Sequence, residues 1–391
     1  MQSRKNGLSI LGMGCMRFPS GYEATEKLVL KAIESGVNYF DTAYIYPGSE
    51  ATLGRILSEH NLRDSVHIAS KLPVVFVRSE KDFDKYLSRQ LERLRTDRID
   101  YYLMHSIGDL DTWEKLVSLG ITDWIAQKKK EGKIGRVGFS FHGARDQFMA
   151  LLDAYRWEFC LIQLNYSDEN YQAGVPGLAR AAEQGLDIMI MEPLLGGKLA
   201  SALPKRAQEI LREANPGITP AAWAFNWLFD KPEVTVVLSG MNHPDQLDDN
   251  ARTANASFAG MLTEENRQTY EQVRRLFAET DKVACTGCGY CMPCPKRVNI
   301  PGCFSAYNTS FSGGRYAGIR SYLLNTGATG AVQGRASQCA ACGKCEPLCP
   351  QHIPIARTLK DARARLEPWW YAAGIAAMRF FMGKGRGPAA E

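Results

Sequence analysis

The chain has 391 residues, more than one small core needs, with 45% hydrophobic and 23% charged residues, as in an ordinary soluble globular protein. Its net charge of +5 is modest. With no stripe of Lys and Arg interleaved with aromatics, it gives no basis for nucleic-acid binding.

Met1 to Ser9 is polar, so no signal peptide is expected. From there to about Phe277 short apolar runs alternate with helix-period stretches, the grammar of βαβ units. The predicted strands are Leu8–Gly12, Val37–Phe40, Val66–Ala69, Ile99–Met104, Gly135–Phe139, Leu161–Leu164, Asp187–Met191 and Val234–Leu238. The clearest helix carries Phe83, Tyr86, Leu87, Leu91 and Leu94 on one face, with Ser79 and Asp82 at its start. Gly36 and Gly132 sit where helix C-caps fall, and Lys128-Lys129-Lys130 reads as a solvated helix end.

Eight strand–helix units predict an α/β fold, a (β/α)8 TIM barrel over residues 1–280. A doubly wound sheet is the alternative. It needs a Gly-x-Gly-x-x-Gly turn, and after Gly12 and Gly14 no third glycine opens a helix.

From residue 281 to 391 cysteine, glycine and proline become dense, predicting a small ferredoxin-like α+β or helical domain with a C-terminal helical tail. The tail, Trp369 to Met382, is apolar but short and carries Arg379. It falls below a transmembrane segment and reads as a helix packed on its own domain. Eight of the eleven cysteines lie in two runs: Cys285, Cys288, Cys291 and Cys294, then Cys339, Cys342, Cys345 and Cys349. Each run ends in Cys-Pro, and each is followed by an Ile-Pro pair, Ile300-Pro301 and Ile353-Pro354, a repeat that argues for pseudo-two-fold pairing.

Thiolates so closely bunched suit two [4Fe-4S] clusters better than zinc, whose knuckles pair Cys-x-x-Cys units across a longer gap. In two-cluster ferredoxins the Cys-Pro cysteine serves the other cluster. The expected grouping is Cys285, Cys288 and Cys291 with Cys349, and Cys339, Cys342 and Cys345 with Cys294. Cys291 and Cys294 are one residue closer than that pattern has them, and Cys303 is a spare that can replace Cys294. Bunched thiols in a long chain place the protein in the reducing cytoplasm.

Polar residues recur where the predicted strands end. Asp41 and Tyr46 follow the second, Lys71 the third, His105 the fourth and Ser140 the fifth. Gln163 and Asn165 close the sixth, Glu192 follows the seventh, and Ser239-Gly240 the eighth. A lone Asp after a strand is a turn or cap residue. A polar residue after strand upon strand, at the functional face of a barrel, reads as a site.

These groups suit carbonyl reduction. Hydride attack builds charge on oxygen and needs a proton donor, for which a tyrosine beside a lysine serves. The proposed roles are Tyr46 as general acid, Lys71 as its tuner, Asp41 as the lysine's partner and His105 as the group orienting the carbonyl.

Asp41 followed five residues on by Tyr46, then Gly48-Ser49-Glu50, resembles the aldo/keto reductase motif. Ser70-Lys71 and Leu103-Met104-His105 resemble that family's lysine and histidine segments. Gly138-Phe139-Ser140 and Ile162-Gln163-Leu164-Asn165 resemble its nicotinamide-amide segments. Glu192-Pro193-Leu194 and Ser239-Gly240 resemble its cofactor-embracing loops. The remainder of the chain is similar to the ferredoxin-like extension of the family's iron–sulfur branch. The resemblance implies a nicotinamide dinucleotide, NADPH or NADH, bound without a Rossmann fold, and a small carbonyl or alcohol substrate.

There are departures. Phe141 stands where many members have Asn, and Met191 where a Tyr often stacks on nicotinamide. The last loop, Ser239 to Asn250, has no Lys or Arg and carries Gln246 at the position of 2′-phosphate contacts. Nicotinamide moves two electrons and a cubane one, so a flavin stays open as the splitter, although no flavin motif is evident. The clusters serve either for electron relay, in which case ferredoxin or another redox partner is expected, or for structure. The alternative is a ferredoxin-linked electron-transfer subunit with a degenerate nicotinamide site.

Overall fold

Eight parallel strands close into a barrel in chain order: β1 (Leu11–Gly14), β2 (Tyr39–Asp41), β3 (His67–Leu72), β4 (Ile99–Ile107), β5 (Ile134–Phe141), β6 (Phe159–Gln163), β7 (Asp187–Met191) and β8 (Val236–Ser239). β1 pairs with both β2 and β8, which removes every sheet edge. This computed structural model describes residues 1, 5–326, 334–371 and 375.

All eight predicted strands form, but the first begins later than its apolar run. Leu8 is fully buried in the cluster that fills the barrel, yet it precedes the β1 ladder. Apolarity marks burial, and the ladder alone marks the strand.

The barrel interior is solid. Tyr39, Tyr101 and Phe159 meet edge to face, with centroids 5.2 and 5.1 Å apart. Gly138 makes room for them, since a Cβ there would lie 2.4 Å from the Phe159 carbonyl oxygen and 2.6 Å from its ring. Chemistry is thereby confined to the rims, and the rim at the strand C-termini holds the polar residues.

The helix Lys81–Leu94 buries Phe83, Tyr86, Leu87 and Leu94 as its periodicity predicts, and Gln90 with them. Its start is anchored in the reverse sense to a serine cap. The Asp82 carboxylate accepts from the Arg78 and Ser79 N–H groups, both at 2.9 Å, and from the Ser79 hydroxyl. Gly36 and Gly132 take φ of +89° and +72° just after the helices Tyr22–Glu34 and Ile121–Lys130, as C-caps do. The lysine run is not wholly solvated. Lys128 is buried and pairs with Asp84 at 2.9 Å and Glu131 at 3.2 Å.

The chain divides into two units: Met1–Leu194 with Gly217–Arg267, and Leu195–Pro216 with the described residues from Gln268 onward. The second is helical, with no strand among its described residues. Its core gathers Val298, Ile300, Phe304, Tyr322, Leu359 and Leu366, with cysteines of both runs packed against it. Within this unit the Lys198 ammonium holds Asp281 at 2.7 Å and the Val283 carbonyl at 2.9 Å. Asn308 also donates to Asp281 and to Val283, so residues far apart in sequence share one polar knot.

The cysteine repeat is a backbone repeat. Gly287 and Ala341, two residues into each run, have φ of +70° and +51°; Gly289 and Gly343, four residues in, have +80° and +71°. Arg297 and His352, three residues past each Cys-Pro cysteine, have +60° and +48°. Helices then begin at Ile300 and Ile355, six residues past that cysteine in each half. Of the expected C-terminal helical tail, Trp369 to Met382, residues 372–374 and 376–382 lie outside the described residues. Among the described residues no helix is long and apolar enough to cross a membrane.

Candidate active site and cysteine loops

β2 ends on Asp41 and β3 carries Lys71, and parallel pairing of these strands brings the two together. The Lys71 ammonium lies 2.6 Å from the Asp41 carboxylate and donates to the Thr42 carbonyl at 2.7 Å. Lys71 is 1% exposed and Asp41 4%. Burial pushes the Asp41 carboxyl up from its ordinary range, against the pull of Lys71. The ammonium also lies 5.0 Å from the centre of the Tyr46 ring. That ring meets His105 of β4 edge to face, with centroids 6.0 Å apart. Asp41, Tyr46, Lys71 and His105 therefore converge on one rim, as the strand-end pattern predicts.

His105 is 7% exposed. Burial, then the Lys71 charge, then His142 hold its imidazole well below the usual histidine range. It is neutral at neutral pH, with one N–H to donate. Cys15 is buried nearby, and burial followed by Asp41 pushes its thiol up. It packs as a small hydrophobe.

Beneath the pair lies a network that strand-end logic does not reveal. The buried Glu50 carboxylate accepts from Ser70 at 2.6 Å and Gln90 at 2.9 Å, and pairs with Arg93 at 3.1 Å. Gln90 also donates to the Lys71 carbonyl at 3.1 Å and accepts from the Tyr102 hydroxyl at 2.9 Å. Its signal in the sequence is a glutamine on the apolar face of the helix Lys81–Leu94. His142 carries no such signal.

The remaining strand ends offer donors suited to a dinucleotide. Ser140 accepts from the Ser106 N–H at 2.7 Å and keeps its own proton to give. Asn165 donates to the Glu192 carbonyl at 3.3 Å, tying the end of β6 to that of β7. Asn250 donates to Ser239 at 3.0 Å, again leaving a hydroxyl proton. A Cβ on Gly240 would meet nothing within 4 Å, so the chain leaves space there. Gln246 accepts from the Asn242 N–H at 3.0 Å, which stiffens the turn into the helix Pro244–Ala256. These groups fit a bound nicotinamide nucleotide. Phe141 instead points into apolar packing, 5.0 Å from Phe148.

Residues 10–271 match the model of the aldo/keto reductase family. The chain belongs to the aldo/keto reductase family. Residues 284–353 match a 4Fe-4S dicluster domain, so the reductase barrel is followed by an iron–sulfur segment. The 6-dehydroglucose reductase of Novosphingobium aromaticivorans is 30% identical over 55% of this chain and 75% of that protein. The L-glyceraldehyde 3-phosphate reductase of Escherichia coli O157:H7 is 25% identical over 60% of this chain and 79% of that protein. An aldo-keto reductase of Bacillus halodurans, solved in its holo form, superposes with a TM-score of 0.57 at 22% identity, over 70% of this chain and 95% of that one. One from Klebsiella pneumoniae, in complex with NADPH, gives 0.55 at 22% identity, over the same 70% and 95%.

In this aldo/keto reductase cysteines from both runs gather at two cavities. Cys285, Cys288, Cys291 and Cys349 line one, and Cys294, Cys339, Cys342 and Cys345, with Cys291, line the other. The charge environment repeats the grouping. Besides the burial that pushes their thiols up, Cys285 and Cys291 each feel Cys288 and Cys349, and Cys345 feels Cys339 and Cys294. Cys303 lines neither cavity; it is buried, with its thiol 3.5 Å from the Gly334 carbonyl. Among the described residues no group of His, Cys, Asp or Glu side chains is gathered for a single metal ion. Four thiols at one cavity and five at the other are the donor chemistry of thiolate-held iron–sulfur clusters.

Proposed function

We propose that the barrel transfers hydride between NADPH or NADH and an aldehyde or ketone, or the alcohol in reverse, and that clusters held by the eight cysteines carry single electrons. The observation that carries the reading is the buried Asp41–Lys71 pair beside Tyr46, with neutral His105 across the ring. When bound, the nicotinamide supplies the hydride and the clusters supply one-electron capacity.

The chain's own residues do the rest. His105 donates its N–H to the carbonyl oxygen and aims it. The Tyr46 hydroxyl gives its proton to that oxygen as the new C–H bond forms, completing the alcohol. The Lys71 ammonium stabilises the phenolate left behind, and Asp41 fixes Lys71 in place without a further charge to solvate. Ser140, Gln163 and Asn165 hold the carboxamide end of the cofactor. Glu192, Pro193, Leu194, Ser239, Gly240, Gln246 and Asn250 embrace the remainder. The crossed grouping, Cys349 with the first trio and Cys294 with the second, is the ligand set. The bunched, metal-binding thiols favour a reducing cytoplasm.

The test is anaerobic turnover with NADH and NADPH against a carbonyl panel that begins with sugar-derived aldehydes and ketones, the class named in the relatives. Tyr46→Phe is expected to lower turnover by roughly 100- to 10,000-fold while nicotinamide binding, read by fluorescence, persists. Unchanged turnover in that variant removes Tyr46 from the mechanism.

A further inference from the structure

We propose that the surface around Cys342 is the docking site for an acidic one-electron carrier protein. The inference rests on the reading of the clusters as electron carriers and names the face through which electrons cross.

The two cysteine loops share a backbone but not a surface. Of the eight cysteines of the runs, Cys342 is exposed and the other seven are partly buried. Electron transfer weakens steeply with distance, so the exposed ligand marks the shorter path to a partner. Leu348, 46% exposed, lines the same cavity as Cys342. Lys296 and Lys344, both exposed, line it as well. The acid of this stretch, Glu346, is turned inward, its carboxylate taking the Ala356 N–H at 3.0 Å. The matching first loop, residues 284–291, carries no Lys, Arg, Asp or Glu. An apolar centre within a charged rim is the anatomy of a transient interface. A rim of cations steers an acidic partner and repels a basic one. The step balances simply: the reduced carrier loses one electron, the group held by Cys294, Cys339, Cys342 and Cys345 gains it, and no proton or bond moves.

The test uses the full chain purified without oxygen, carrying about eight irons. The probe is a photoreduced acidic bacterial two-cluster ferredoxin. Cluster bleaching is followed in stopped flow against ionic strength, and zero-length carbodiimide cross-links are mapped by mass spectrometry. The expected result is a rate falling about tenfold or more as salt rises, with cross-links at Lys296 or Lys344. Lys296→Glu with Lys344→Glu slows bleaching about tenfold and removes the cross-links; the milder Lys296→Gln with Lys344→Gln falls between. Lys27→Glu, on the barrel, changes neither. A salt-independent rate or cross-links elsewhere overturns the proposal. Complete bleaching by dithionite with no reaction toward the ferredoxin overturns the docking surface alone. Iron that dithionite cannot reduce overturns the electron-carrier reading, and the docking surface with it.

Discussion

Asp41 and Lys71 come from adjacent barrel strands and meet with 2.6 Å between carboxylate and ammonium, both almost wholly out of water. Neither charge is tolerable alone at that depth. Each is the condition for burying the other, and together they set a fixed cation beside Tyr46.

Lys71→Met is therefore expected to destabilise the barrel by about 3–5 kcal/mol, because it strands a buried carboxylate. Asp41→Asn is expected to cost a comparable amount. The double variant should lose clearly less than the sum, since the charge left over in each single variant is gone. Thermal melts of the four proteins check this, and simple additivity would show that the two side chains do not act as a pair.

His105 gives a pH signature. Its imidazole is held well below the usual 6.5 in the fold, by burial first and then by Lys71 and His142. Between that depressed value and about 6.5 the unfolded chain binds a proton that the folded chain does not. Stability therefore rises with pH through that window, levels off above it, and is lost on acidification. Melting temperatures of wild type and His105→Gln across the window check it. The difference between the two curves should slope, and a flat difference refutes the assignment. Asp41, shifted upward, acts in the opposite sense, but it is present in both proteins and cancels.

The crossed ligand sets predict a particular pattern of iron loss. Cys349→Ala should reduce iron from about eight to about four per chain. Adding Cys288→Ala should remove little more, because both serve one site. Adding Cys342→Ala instead should remove nearly all of it. Iron assays settle the matter: retention of about four irons in the Cys349→Ala, Cys342→Ala protein assigns Cys349 to its own run.

Gln246 lies in the first turn of the helix Pro244–Ala256, in a stretch without a cation, where the family resemblance implies a 2′-phosphate contact. Gln246→Arg should improve affinity for NADPH relative to NADH by about tenfold, one charge-assisted hydrogen bond's worth. Fluorescence titrations with both nucleotides measure the ratio, and an unchanged ratio moves the phosphate site elsewhere.

Much of the barrel is legible because its strands are apolar runs that end on a polar residue, as at Asp41 and Ser239. That signature is local. The Glu50–Gln90–Tyr102 network is not local, since its members come from a loop-following helix, a second helix and a strand. Only Gln90 betrays itself, by being polar on an apolar face. The start of β1 is misjudged because Leu8 is buried without joining the ladder. The cysteine repeat announces its loops, whereas the sorting of sulfurs between cavities needs residues of both halves brought together. The bond from Lys198 to Asp281, 83 residues onward, leaves no periodic trace at all.

That last bond bears on engineering. The iron–sulfur unit recruits chain from either side of residues 217–267, so it is not a detachable cassette. A truncation after Thr280 would leave Lys198 deprived of Asp281 and Val283, with the neighbouring helix Lys205–Ala214 cut from its unit. Grafting the cluster segment onto another scaffold would have to carry residues 195–216 along, and nascent chains cannot complete it until well after the last barrel strand has left the ribosome.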